Sequence, residues 1–310
     1  MRYNTDTVYE TFEWVDKHRM EVLFEVMMGV FILLAIIGIA IQGFFQKKYN
    51  CNTRQDKISI YSFNLMLVIS AMLFFIPQIG SKFNITAELF IYSLCFAVTY
   101  FCAVIFTVLA VKEGALSLTS LLSSYSLIIP TMYGVLFLNE EFGIMKKVGI
   151  AILLISLFFI GNIKKGEKVS KKWFLYVCLL FLGNGWCSTI QRLYQIKSGG
   201  ENKAEFMVVA LAIIAVAMIV IVLIKEKKIS LPKIKNGGMF AVSCGLANGA
   251  VNMLTMILAK YPATIVYPTI SAGGIVLTFI LAKFIFKEKL SRNQYVGFVT
   301  GIISVIVLNM

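Results

Sequence analysis

The sequence predicts an all-α polytopic membrane protein, with ten transmembrane helices arranged as two inverted five-helix repeats. Three observations predict it. The 310-residue chain is 59% hydrophobic and only 15% charged, against about 25% charged residues in soluble domains. Ten stretches free of Asp, Glu, Lys and Arg are long enough to cross a bilayer. The second half of the chain repeats the pattern of the first. The net charge of +13 does not point to nucleic acid, because the basic residues form short clusters between apolar runs, as in membrane-protein loops. Hydrophobicity this high also excludes a disordered chain.

The elements follow in order. Residues 1–22 form a polar N-terminal segment. Asp6, Glu10, Glu13 and Asp16 stand where a signal peptide carries basic residues. Val8, Phe12 and Val15 share one helical face, which fits a short interfacial helix; a frayed polar tail fits equally. A span needs about 20 residues. The first five runs are Val26–Phe45, Ile58–Ser81, Leu89–Val111, Gly114–Asn139 and Val148–Ile163. The fifth is short, and flanking Lys146, Lys147, Lys164 and Lys165 can snorkel to the headgroups. The second five are Trp173–Gln191, Phe206–Ile224, Asn236–Ala259, Tyr261–Ala282 and Asn293–Met310. Residues 23–163 and 164–310 are thereby expected to be the two five-helix units.

Chemistry-bearing clusters are scarce. Cys95, Cys102, Cys178, Cys187 and Cys244 fall inside spans, Cys51 falls in a loop, and the single histidine is His18. That set lacks zinc-ligand spacing, and no cofactor or metal is expected. A membrane-embedded hydrolase needs a nucleophile with a base, and no span offers one, so the chain is not expected to be an enzyme.

The repeat can be written residue by residue. A shift of 148 aligns 110–162 with 258–310 without a gap. Lys112, Ala115, Ser123, Glu140, Val148, Gly149, Ile155 and Ser156 then fall on Lys260, Ala263, Ser271, Glu288, Val296, Gly297, Ile303 and Ser304. A shift of 149 aligns Ile41–Lys48 with Ile190–Lys197, so that Gln42 matches Gln191. A unit with an odd number of spans must enter the second copy from the opposite side of the membrane. The copies are therefore inverted, an arrangement that lets one site near the midplane face each side in turn.

Residues within this repeat carry a resemblance. Ala110-Val111-Lys112-Glu113-Gly114-Ala115, the Ser-rich span with Pro130, and Leu138-Asn139-Glu140-Glu141-Phe142 resemble the EamA-type repeat of the drug/metabolite transporter superfamily. The second copy runs from Ala259-Lys260-Tyr261-Pro262-Ala263 through Phe286-Lys287-Glu288-Lys289-Leu290. The resemblance implies ten helices in two inverted bundles around a central cavity, and transport of a small metabolite or drug-like solute.

Loop charge bears on orientation. Ten basic residues lie on the side of the N-terminus and 19 on the other. The positive-inside rule then places both termini outside a cell membrane.

Intramembrane polar residues are the candidate site, because unpartnered polar groups are costly in lipid. The matched pair Gln42 and Gln191 leads, expected at the two mouths of one cavity. Asn184 with Trp186 sits in the sixth span, and Asn248 and Asn252 lie one turn apart on the eighth. Tyr100, Ser123, Tyr125, Tyr267, Thr269 and Ser271 complete the set. Each also has a structural reading as a helix–helix hydrogen bond. No acidic residue lies at the centre of a span, which favours a neutral or zwitterionic solute; Glu25, at the entry of the first span, is the remaining coupling residue. The expected partners are a small-molecule substrate and the lipid bilayer, with a homodimer through Gly297 and Gly301 of the last span as a further expectation. The alternative function is a lipid or polyprenyl-phosphate translocase or its accessory subunit, using basic residues at helix ends such as Arg192 and Lys283.

Overall fold

The computed structural model describes residues 5–52, 60–80, 83–113, 123, 125–160, 171–226, 238–285 and 292–308. Among them the chain forms ten α-helices: α1 Thr5–Asn52, α2 Ile60–Phe75, α3 Ala87–Glu113, α4 Ile128–Phe137, α5 Ile144–Ile160, α6 Lys171–Lys197, α7 Lys203–Glu226, α8 Gly238–Ile257, α9 Ala263–Phe284 and α10 Arg292–Leu308. Short 3₁₀ turns, Ile76–Gln78 and Leu258–Lys260, end α2 and α8. Among the described residues, six segments are long and apolar enough to cross a bilayer: Val22–Gln46, Tyr61–Gln78, Ala87–Thr107, Lys171–Lys197, Lys203–Ile224 and Gly238–Lys260. Ile128–Phe137, Ala263–Leu277 and Tyr295–Leu308 are shorter apolar stretches. Helix is the expected form for such sequences, since it satisfies every backbone group within the segment.

Several helices extend past the charge-free runs, α1 and α6 the furthest. Residues from Thr5 onward are helical and continuous with the first span, so the N-terminal segment extends α1. Helix α6 continues past Gln191 to Lys197. The run of uncharged residues stopped at Arg192, but that charge is paired inside the protein and does not end the helix. Residues 114–122 of the fourth run and the basic loop clusters within 53–59, 161–170, 227–237 and 286–291 lie outside the described residues.

The two halves of the chain do not pack as separate bundles. The most extensive contacts join α3 to α6, α5 to α10, α1 to α8 and α2 to α8, followed by α2 with α7, α1 with α9 and α3 with α7. Each of these pairs takes one helix from each half. The largest core cluster has Phe75 of α2, Phe96 of α3, Tyr194 of α6 and Phe206 of α7. The Tyr194 and Phe206 rings stack at 4.7 Å, and Phe96 meets Phe206 edge-on at 5.5 Å. Outward-facing Leu33, Ile91, Val98, Phe174, Val216, Ile224 and Ile306 are exposed, the apolar belt that a bilayer covers.

Glycines set the closest approaches. A Cβ on Gly245 of α8 would stand 2.3 Å from the Leu67 carbonyl of α2, and one on Gly249 would stand 2.9 Å from the Phe74 ring. On α10, the Gly297 carbonyl accepts a hydrogen bond from Ser156 of α5, and a Cβ on Gly301 would lie 3.0 Å from Ser156 Oγ. The glycine face from which a homodimer was expected is therefore packed against α5 of the same chain.

Candidate functional site

Helices α3, α6 and α8 bring four of the candidate residues into one hydrogen-bonded chain. Gln191 Nε2 donates to the Asn252 side-chain oxygen at 3.2 Å and to the Asn252 carbonyl at 3.3 Å. Asn252 Nδ2 donates to Asn248 Oδ1 at 3.0 Å and to the Asn248 carbonyl at 2.9 Å. The Tyr100 hydroxyl donates to Asn248 Oδ1 at 3.3 Å. The i, i+4 spacing of Asn248 and Asn252 stacks them on one face of α8, and α3 and α6 flank that face. Gln191 and Asn248 are buried. The chain crosses from the first half of the sequence (Tyr100) to the second.

A second polar cluster lies toward the C-terminal end of α6. Arg192 Nη2 forms a hydrogen-bonded ion pair with Glu140 Oε1. Arg192 also donates from Nε to the Ala259 carbonyl at 3.4 Å and from Nη2 to the Tyr261 carbonyl at 3.1 Å. The second Glu140 oxygen accepts the Thr264 backbone N–H at 3.2 Å, at the start of α9. A carboxylate suits that position, where the first-turn N–H groups are unpaired.

Local structure places each partner. Asn139, at φ 53°, terminates α4 in the left-handed conformation, and both Leu138 and Glu140 then return their N–H groups to the Gly134 carbonyl at 3.1 Å. Gly134 leaves room for the carboxylate, since a Cβ there would stand 2.7 Å from Glu140 Oε2. Gly199 and Gly200, at φ 64° and 82°, end α6 just beyond Gln195.

The remaining candidates are dispersed. Asn184 Nδ2 donates to Ser123 Oγ at 2.7 Å, joining α6 to the segment before α4. Tyr125 donates to the Leu154 carbonyl at 3.3 Å. It lines a water-sized gap of about 10 Å³ with Ser271 and Pro268. Tyr267 is buried and donates to the Ser188 carbonyl at 3.4 Å. The Thr269 hydroxyl is buried without a partner. Trp186 is exposed, edge-on to Tyr133 at 6.3 Å, apart from the Gln191 chain. Gln42 is half-buried, and its carbonyl accepts from Cys244 Sγ at 3.6 Å. Its repeat partner Gln191 thus joins the polar chain, whereas Gln42 meets α8 through its backbone. Glu25 is exposed among the apolar side chains of α1. Among the described residues, no group of three or more Cys, His, Asp or Glu side chains could hold a metal ion.

The sequence reading missed Glu140 with Arg192 as a site. The repeat alignment picks out Glu140 only as the counterpart of Glu288, and Arg192 reads there as a helix-end cation. Sequence spacing does not show that a residue in the α4–α5 connection and one on α6 meet inside the protein.

Comparison with known proteins agrees with this architecture. A solved structure described only as "Crystal structure of protein" superimposes with a TM-score of 0.73, covering 91% of this chain and 98% of its own at 11% identity. That likeness is one of fold. No curated protein matches. Residues 27–162 match the EamA-like transporter family. Over residues 27–162 the chain is thus similar to the EamA-like transporter family, part of the drug/metabolite transporter superfamily, and its apolar helices make it a multi-pass membrane protein.

Proposed function

We propose that the protein is a secondary transporter that moves a small metabolite or drug-like solute by alternating access, with the solute held between two inverted five-helix repeats, 23–163 and 164–310. The observation that carries this reading is the Tyr100–Asn248–Asn252–Gln191 chain, a run of buried and half-buried amides with a hydroxyl, shared by helices of both halves. Amides both donate and accept, so they can exchange partners with a neutral or zwitterionic solute at little net cost. The helix pairing supports the inverted arrangement. Exchanging each helix with the one five places later carries α1·α8 onto α3·α6, α2·α8 onto α3·α7, and α1·α9 onto α4·α6, and all of these pairs are in contact. The cell membrane, with both termini outside, is the location that fits the loop charges.

The test is thermal stabilisation of the purified protein by amino acids, nucleosides, sugars, polyamines, aromatic drugs and lipid phosphates. A ligand at 100 times its Kd stabilises the folded state by about 2.7 kcal/mol. A shift lost in Gln191→Ala and Asn252→Ala, followed by uptake of the same compound into proteoliposomes, supports the reading. A shift from polyprenyl phosphate alone would replace it with the lipid-translocase reading.

A further inference from the structure

Two neighbouring residues of α6 carry buried polar atoms that the fold leaves unpartnered. Gln195 is 2% exposed, and neither its amide nitrogen nor its amide oxygen has a hydrogen-bond partner. Arg192, three residues earlier and therefore adjacent on the helix surface, is 6% exposed; its Nη1 is bare although Nε and Nη2 are both held. A buried amide without a partner is unfavourable and rare. These atoms give the fold nothing that an apolar side chain would not.

What would satisfy them is chemically narrow. Arg192 Nη1 and Gln195 Nε2 are N–H donors on adjacent positions, and the complement of two such donors is a planar pair of acceptor oxygens. Glu140 already balances the guanidinium charge, so the cluster carries no net charge. It matches a single carboxylate, whether alone or with its own ammonium, better than a dianionic phosphate. The free Gln195 Oε1 is an acceptor for such an ammonium. Gln191, one turn earlier on α6, begins the amide chain that would meet the rest of the solute.

We propose that Arg192 Nη1 and the Gln195 amide form a carboxylate-binding subsite at the end of the Gln191 chain, and that the solute is a small carboxylic acid or a zwitterion. This rests on the transporter reading above and adds the substrate class to it. The 3₁₀ turn Leu258–Lys260 and Tyr261, whose carbonyls hold Arg192, cover this end of α6. A solute reaches the subsite when they part from α6.

The unpartnered amide makes a clean test. Gln195→Leu removes no hydrogen bond from the fold and is expected to melt at or above the wild-type temperature. Gln195→Glu puts a carboxylate of the chain's own beside Arg192, where a bound carboxylate would sit, and is expected to occlude the subsite. The probes are benzoate, butyrate and L-leucine, each beside its uncharged or amidated counterpart, with inorganic phosphate as a further arm. The expected result is a melting shift from at least one carboxylate, none from its counterpart, and loss of that shift in both variants. Equal shifts from the amides, a shift from phosphate, or retention of the carboxylate shift in Gln195→Leu would each overturn the subsite. If only uncharged solutes stabilise the wild type and Gln191→Ala abolishes that effect, the subsite falls and the transporter reading stands. If Gln191→Ala leaves every shift unchanged, the transporter reading falls instead.

Discussion

Ser156 and Ser304 make the same hydrogen bond from opposite halves of the chain. Ser156 Oγ on α5 donates to the Gly297 carbonyl on α10 at 2.6 Å, and Ser304 Oγ on α10 donates to the Gly149 carbonyl on α5 at 2.8 Å. Ser156 and Gly149 are the residues that the 148-residue shift places on Ser304 and Gly297. A reciprocal pair of this kind is what two copies of one unit produce when they face each other across a two-fold axis. Both hydroxyls are buried, and each contributes on the order of 1 kcal/mol. Ser156→Ala and Ser304→Ala are expected to lower the melting temperature in detergent by similar amounts. A shift confined to one of them would show that the two contacts are not equivalent.

The Glu140–Arg192 pair joins the α4–α5 connection to α6 where both side chains are largely buried, at 13% and 7% exposure. Removing one member of such a pair strands the other, at a cost of about 3–5 kcal/mol. Arg192→Met is expected to reduce stability and yield sharply. Arg192→Met combined with Glu140→Met is expected to recover part of the loss, although Thr264 N–H still lacks its acceptor. Chemical denaturation of the single and double variants measures the coupling, and strictly additive effects would rule it out.

Gly134 tests the same pair without altering a charge. A Cβ there meets Glu140 Oε2 at 2.7 Å and Ala263 Cβ at 3.0 Å, whereas one at Gly143 meets nothing within 4 Å. Gly134→Val is expected to cost about 1–3 kcal/mol by overpacking and to push Glu140 away from Arg192. Gly143→Ala is the control and is expected to be near neutral. Equal melting temperatures for the two variants would contradict the packing described here.

Gln191 and Gln42 are matched by sequence, yet the fold gives them different work. Gln191→Ala breaks the link from α6 to Asn252 and is expected to lower transport at least tenfold, equivalent to about 1.4 kcal/mol. Gln42→Ala leaves that chain whole and is expected to change transport little. Initial-rate uptake by the two single variants, normalised to protein in the membrane, decides between them. Equal losses would restore the symmetric pair expected from the repeat.

The sequence by itself determined the class and the helical form of the apolar runs. Uncharged apolar runs of bilayer length have few alternatives to helix, because a lipid-exposed backbone must bond to itself. A shift of 148 residues is visible in any register-preserving comparison, and it anticipated the Ser156–Ser304 relationship without a contact being known. Asn248 and Asn252 were legible as one face because helical spacing is local. Only the tertiary structure decided which polar groups meet. Gln191 reaches Asn252 across 61 residues, and Glu140 reaches Arg192 across 52. Arg192 looked like a helix end because a charge in an apolar run is costly alone. Burial against Glu140 and two carbonyls removes that cost, and the partner that removes it lies on another element. Pairing across elements depends on how helices dock, which one helix's residue pattern does not record.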